Sequence, residues 1–217
     1  HRIPGPTGKR GVRMIAFKEF PKIPRLNREI VVTEKIDGTN AAVRIELASD
    51  AAEHDPTEIA RDLSSGLVMF AQSRSKFVTP YDDNHGFAAW VKENATDLFR
   101  LGLGTHYGEW WGPGINKRYG QLAKQKRFSL FNTSLWGDAA ARPACCDVVP
   151  VLYKGAFSQT AIDSALLDLA TGGSVACPGC TKPEGIIVFH TAANALFKAT
   201  IEKDQEWKGN QAASPKG

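Results

Sequence analysis

Short runs in which apolar and polar residues alternate every second position, punctuated by glycine and proline, dominate this chain. Ile30-Val31-Val32-Thr33 is β-branched and predicts a buried strand. Ala41-Ala42-Val43-Arg44-Ile45 alternates as a second strand, and Asp37-Gly38 between the two predicts a hairpin turn. Further strands are predicted over residues 66–74, ending on a polar, basic tip, over 105–111, running into Gly112-Pro113-Gly114, and over 127–132, 148–153, 186–189 and 195–201. Helical spacing is rarer. Phe87, Trp90, Val91, Ala95 and Leu98 predict one helix over 84–101, with its aromatics in the core, capped by Asp82, Asp83 or Asn84 and stopped by Gly102. Ser158 caps a second, which puts Ile162, Leu166 and Leu169 on one face and stops at Gly172-Gly173. The segment through Pro24 reads as an extended arm, the acidic stretch 48–65 as a loop with a helical turn, and 209–217 as a disordered tail.

Composition adds a size and a polarity to this pattern. The 217 residues, 42% hydrophobic and 23% charged, are those of an ordinary globular protein, read as one domain over 1–208 with a basic N-terminal arm. No apolar run is long enough to span a bilayer and no signal peptide is evident, so a cytoplasmic protein is expected. Net charge is only +4, but it is segregated. Arg2, Lys9, Arg10, Arg13, Lys18, Lys22, Arg25 and Arg28 crowd the first thirty residues, and Lys117, Arg118, Lys124, Lys126 and Arg127 form a second run without an acidic residue among them. Such runs are either solvated surface or the seat of a polyanion. Cys177 and Cys180 form a Cys-x-x-Cys that could be combined with Cys145 and Cys146 into a four-thiolate zinc site. Adjacent cysteines in an extended segment point apart, so free thiols are expected instead.

Chemistry concentrates at three places. Lys35 stands where a strand breaks into a glycine turn, and a lysine held there has little freedom, as in-line attack on phosphorus requires. Arg74 at a strand end is either a surface arginine or a phosphate ligand. Glu109 is a carboxylate among large aromatics and needs a donor, which a ribose hydroxyl pair or a buried backbone amide would supply.

Six motifs in order resemble the covalent nucleotidyltransferase superfamily of polynucleotide ligases and mRNA capping enzymes, and most closely its phage-type, nick-sealing RNA ligases. Glu34-Lys35-Ile36-Asp37-Gly38-Thr39-Asn40 resembles the nucleophile motif and Ser73-Arg74 the basic motif after it. Gly108-Glu109-Trp110-Trp111-Gly112-Pro113-Gly114 is similar to the ribose motif and Phe128-Ser129-Leu130-Phe131 to the adenine-stacking strand. Glu184-Gly185 and Phe197-Lys198-Ala199-Thr200 are similar to the last two. The resemblance implies an α+β adenylation domain of mainly antiparallel sheets flanked by a few helices. It implies ATP and Mg²⁺ or Mn²⁺ as cofactors. Lys35 would attack the α-phosphorus and carry AMP, Phe131 would stack on adenine, and Glu109 would accept from the ribose. Glu34, Ile36 and Asn40 would position the nucleotide, Arg74 and Lys198 would hold the α-phosphate, and Glu184 would hold the metal. AMP would then pass to the 5′-phosphate of a nucleic acid, expected to be RNA, and a 3′-hydroxyl would displace it. The run Lys117, Arg118, Lys124, Lys126 and Arg127, with the basic arm, would receive that nucleic acid, and a monomer is expected.

Two departures from the superfamily pattern stand out. Thr200 occupies the place of a second lysine in the last motif, so either Lys198 works alone or Lys203 compensates. After Lys208 too little sequence follows for the accessory C-terminal domain usual in such ligases, so either a one-domain ligase or a shortened chain is expected. A capping-type guanylyltransferase using GTP, or a nucleic acid binding protein on an inactive transferase fold, are the alternatives.

Overall fold

The computed structural model of the chain describes residues 15–48, 55–120 and 122–202. The basic residues before Ile15, Lys203 and the 209–217 tail lie outside the described residues, and so do residues 49–54 of the acidic stretch.

Two sheets share the strands. In the smaller, β1 (Glu29–Lys35) is flanked by β9 (Val151–Ala156) and β10 (Gly185–His190), and β11 (Ala195–Thr200) forms the far edge. The larger runs in the order β3 (Glu58–Asp62), β4 (Leu67–Ser73), β2 (Thr39–Leu47), β6 (Gly104–Trp111), β7 (Arg127–Leu130), β8 (Cys146–Val148), with the short β5 (Phe77–Val78) beside β4. All pairings are antiparallel except β7 with β8.

Period-two alternation gives each sheet a core face. Ile30, Val32, Ile186 and Val188 pack against Ala165, Leu166 and Leu169 of the helix Gln159–Gly172. That helix begins as predicted, with the Ser158 hydroxyl accepting from the Ala161 N–H at 3.2 Å, and Gly173 at φ 85° ends it. On the larger sheet Val43, Ile45, Met69, Trp110, Phe128 and Leu130 pack against Phe87, Val91 and Leu98. The long helix predicted for these last three is broken into α1 (Phe87–Glu93), α2 (Ala95–Leu98) and a 3-10 turn, Phe99–Leu101, with Asn94 at the break. Its cap expectation holds in part, since the Asp83 carboxylate accepts from the N–H groups of Ala88 and Ala89. A third cluster, Ile36, Trp111, Tyr119, Val149, Cys177 and Cys180, joins elements of the two sheets.

Three expectations are corrected. Asp37-Gly38 is not a hairpin: β1 pairs with β9 and β10 while β2 pairs with β4 and β6, so residues 36–38 carry the chain from one sheet to the other. The stretch 148–153 is likewise two strands in two sheets, parted at Val149-Pro150, where proline has no N–H for a ladder. The acidic stretch contains β3, whose residues pair with β4. A hydrophobic pattern records which residues are buried; it does not record against which sheet. The zinc arrangement also falls. Cys145 and Cys146 belong to the larger sheet's core and Cys177 and Cys180 to the third cluster, and no group of three metal-binding side chains occurs among the described residues.

Candidate active site

Lys35 is the last residue of β1, and the crossover after it is held from below. Ile36 is buried in the third cluster, so only its main chain is available to a ligand. Gly38 lies so close to β6 that a Cβ there would come within 2.5 Å of the Trp110 carbonyl oxygen and 2.8 Å of Trp111 Cβ. Its N–H donates to Glu109 Oε1 at 3.0 Å, and Asn40 Nδ2 donates to Oε2 at 3.1 Å. The backbone-amide partner for Glu109 is therefore present. Burial pushes the Glu109 carboxyl up to about 7, against the pull of Lys35 and of the Gly38 N–H.

Across the smaller sheet, Lys35, Gly185 and Thr200 form one row, and Thr33, Ile187 and Lys198 form the next on the same face. Gly185 holds this spacing at a φ of 153°, and a Cβ on it would meet the Ala199 carbonyl oxygen at 2.1 Å. Glu184, beside it, reaches Lys35 with 2.6 Å between carboxylate and ammonium. Glu184 also borders a cavity of about 640 Å³ together with Asp37, Asn116, Arg118, Lys198 and Thr200. Burial and then the nearby Glu184 raise the Asp37 carboxyl, while Arg118 and Lys35 pull it down. Asp37 accepts from Asn116 Nδ2, and its other oxygen lies 3.8 Å from Arg118 Nε.

On the facing sheet, Asn40, Glu109, Ser129 and Asp147 make one row. Phe131, two residues past Ser129, is 42% exposed on the same face, its N–H donating to the Tyr107 carbonyl at 2.9 Å. Arg74 is exposed one residue beyond Ser73, which pairs with Ala41, so it leaves β4 beside Asn40.

Glu34, expected to help position the nucleotide, turns its carboxylate to the other side of β1. Glu34 is 1% exposed on the face of β1 opposite to Lys35, and it accepts from the Tyr119 hydroxyl, the Ser174 hydroxyl and the N–H groups of Val175 and Ala176. With four donors it has no capacity left for a ligand. Nor is the second basic run one surface. Arg127 forms a two-point ion pair with Asp147 at 2.6 and 2.8 Å and lies over the Trp111 ring, and Lys126 donates to the His85 carbonyl. Lys117 and Arg118 border the cavity, whereas Lys124 is exposed away from it. Asp37 and Asn116 were not anticipated as site residues, because a turn signature accounts for the first and no periodicity marks the second.

Two carboxylates, Glu184 and Asp37, border the cavity beside Lys35, Arg118 and Lys198. Mg²⁺ or Mn²⁺ commonly takes one or two carboxylates when a substrate's phosphates supply further oxygens, so this donor set fits a metal-bound nucleotide. A lysine paired with a carboxylate, with further cations and an exposed aromatic nearby, supplies the parts that covalent nucleotidyl transfer requires.

A sequence model of the RNA ligase family matches residues 28–200, and the chain belongs to that family. No curated protein sequence matches significantly. Among solved structures, the chain is similar to Naegleria gruberi RNA ligase. An arginine-to-alanine variant with ATP and Mn is 17% identical, with a TM-score of 0.53 over 85% of this chain and 53% of that one. A lysine-to-methionine variant with AMP and Mn is 18% identical, with a TM-score of 0.52 over 84% and 52%. An aspartate-to-alanine variant without ligand is 19% identical, with a TM-score of 0.53 over 85% and 52%. At such identity the likeness is one of fold, and the chain spans about half the length of these ligases.

Proposed function

We propose that this chain carries out adenylyl transfer in ATP-dependent RNA ligation. The supporting observation is the Lys35–Glu184 pair at 2.6 Å beside a cavity bordered by Lys198 and Arg118, with Glu109 and Phe131 on the facing sheet. The family match supports ligation over capping.

The resting ammonium of Lys35 is held by Glu184, and only the deprotonated amine is a nucleophile. Its Nζ attacks the α-phosphorus of ATP; an N–P bond forms, the bond to the bridging oxygen breaks, and pyrophosphate leaves. Lys198 and Arg74 bind the oxygens on which charge grows. Phe131 stacks on the adenine, and Glu109, already fixed by Gly38 and Asn40, accepts from the ribose. A divalent cation held by Glu184 and Asp37 would add positive charge at the phosphates. A 5′-phosphate oxygen of the RNA then displaces Lys35 from the AMP phosphorus, and a 3′-hydroxyl attacks the activated 5′-phosphorus and releases AMP. Lys117 and Lys124 are the members of the basic run whose charge is available to that strand. The four free cysteines suit a reducing cytoplasm.

The test is incubation with α-labelled ATP or GTP and Mg²⁺ or Mn²⁺, followed by denaturing electrophoresis. Covalent label from ATP on the wild type and none on Lys35→Ala is expected. Label from GTP alone would replace ligation with capping, and no label on folded protein would leave a nucleic acid binding module.

A further inference from the structure

The phosphate side of the site is short of one fixed charge. The row through Lys35 continues into Gly185, which has no side chain, and Thr200, which has no charge. Lys198 lies one row away, and Lys35 itself must become neutral to attack. Among the described residues, Lys198 is then the one cation of the smaller sheet that borders a cavity also bordered by Asp37 and Glu184.

A second cation comes from outside the sheet. Arg118 borders the same cavity as Thr200, Lys198 and Glu184. Its backbone is anchored, because its N–H donates to Asn116 Oδ1 at 3.0 Å while Asn116 Nδ2 donates to Asp37, two residues from Lys35. Its guanidinium is half-buried, with Nε 3.8 Å from Asp37 and one terminal nitrogen 2.6 Å from Glu202. Glu202 is 71% exposed, so an ion pair with it is weak and readily exchanged for a phosphate. The planar fork of arginine matches two phosphate oxygens, and its five N–H donors exceed what Asp37 and Glu202 use. The neighbouring Lys117 is exposed and has no comparable anchor.

We propose that Arg118 is a further phosphate-binding cation of this site beside Lys198 and Arg74, doing from the short helix Lys117–Gly120 after β6 what Thr200 cannot do from β11, and that Glu202 is the counter-ion it leaves when the nucleotide binds. This rests on the adenylyl-transfer reading above. Arg118 thereby leaves the nucleic-acid surface to which its place in a basic run assigned it.

The experiment measures the rate of Lys35 labelling from α-labelled ATP across a set of variants, with thermal unfolding as a check on folding. Arg118→Ala is expected to slow labelling by about 10²- to 10³-fold, the usual effect of removing one donor to a developing oxyanion. Arg118→Lys is expected to recover part of this loss. Introducing Thr200→Lys into Arg118→Ala is expected to recover at least about tenfold, because a lysine two strands from Lys35 restores the missing charge. Glu202→Gln is expected to lower the KM for ATP. Wild-type rates in Arg118→Ala would overturn the proposal, and so would equal slowing by Arg118→Ala and Glu202→Gln, which would make the arginine a tether. If Arg118→Ala does not fold, the Arg118→Lys and Glu202→Gln pair decides in the same way. An unlabelled wild type would instead sink the adenylyl-transfer reading itself.

Discussion

Lys35 Nζ and the Glu184 carboxylate meet at 2.6 Å although they are far apart in sequence, because Lys35 ends β1, Glu184 directly precedes β10, and the Lys35–Gly185 pairing sets the distance. About a quarter of each side chain is exposed, so a nucleotide can reach the pair. Replacing Glu184 with alanine removes both the partner of the ammonium and a candidate metal ligand. Labelling of Lys35 by ATP is expected to fall about 10²- to 10⁴-fold, the range for a group acting on proton transfer or charge. Excess Mn²⁺ should recover little of it.

Glu109 makes stability depend on pH. The folded carboxyl holds its proton to about 7 against 4.5 for the ordinary group, so between those values the folded state binds a proton that the unfolded state has lost. Its contribution is full below about 4.5 and is lost as pH rises through 7. Glu109→Gln is expected to remove that slope and to gain on the order of 2–3 kcal/mol over wild type by pH 8. Urea unfolding of both proteins at pH 5 and 8 reads the difference directly.

Glu34 is expected to matter for folding and not for nucleotide binding. Glu34→Ala leaves two hydroxyls and two N–H groups without their acceptor, and each orphaned buried donor costs about 1–3 kcal/mol. The melting temperature should fall by on the order of 10 °C. The folded fraction at low temperature should keep the wild-type KM for ATP, and a raised KM would return Glu34 to the nucleotide site.

Phe131 presents the opposite case. Being 42% exposed, it adds little to the core, so Phe131→Ala should unfold near the wild-type temperature. Loss of a stacked base costs about 1–3 kcal/mol, so the KM for ATP should rise roughly 10- to 100-fold, with Phe131→Trp recovering most of it.

Gly185 is expected to accept no side chain. A Cβ 2.1 Å from the Ala199 carbonyl oxygen must push β11 away from β10, and the backbone at φ 153° disfavours any other residue. Gly185→Ala should therefore displace Lys198 and Thr200 together and lose labelling at any ATP concentration.

Most strands, their core faces and the caps of the Gln159–Gly172 helix were legible because each depends on neighbours a few residues away. Alternation made Val43, Ile45, Trp110 and Phe128 core, and Ser158 and Gly173 close the helix as local rules require. The order of motifs also pointed to Lys35, Glu184 and Lys198, which the fold brings to one face of one sheet or its edge. The role of Glu34 was not legible. A carboxylate next to a nucleophile looks like a ligand contact until Tyr119, Ser174, Val175 and Ala176 are seen around it.

By itself the sequence determined most of the strands, their buried faces and the residue types proposed to transfer an adenylyl group, since period and side-chain chemistry are local properties. Only the tertiary structure decided that Asp37-Gly38 joins two sheets in place of turning within one, that Arg127 is held by Asp147, and that Arg118 comes to the cavity of Lys198 and Thr200. Those outcomes depend on which distant strands pair, and pairing is settled by the packing of whole faces, which no short window of residues contains.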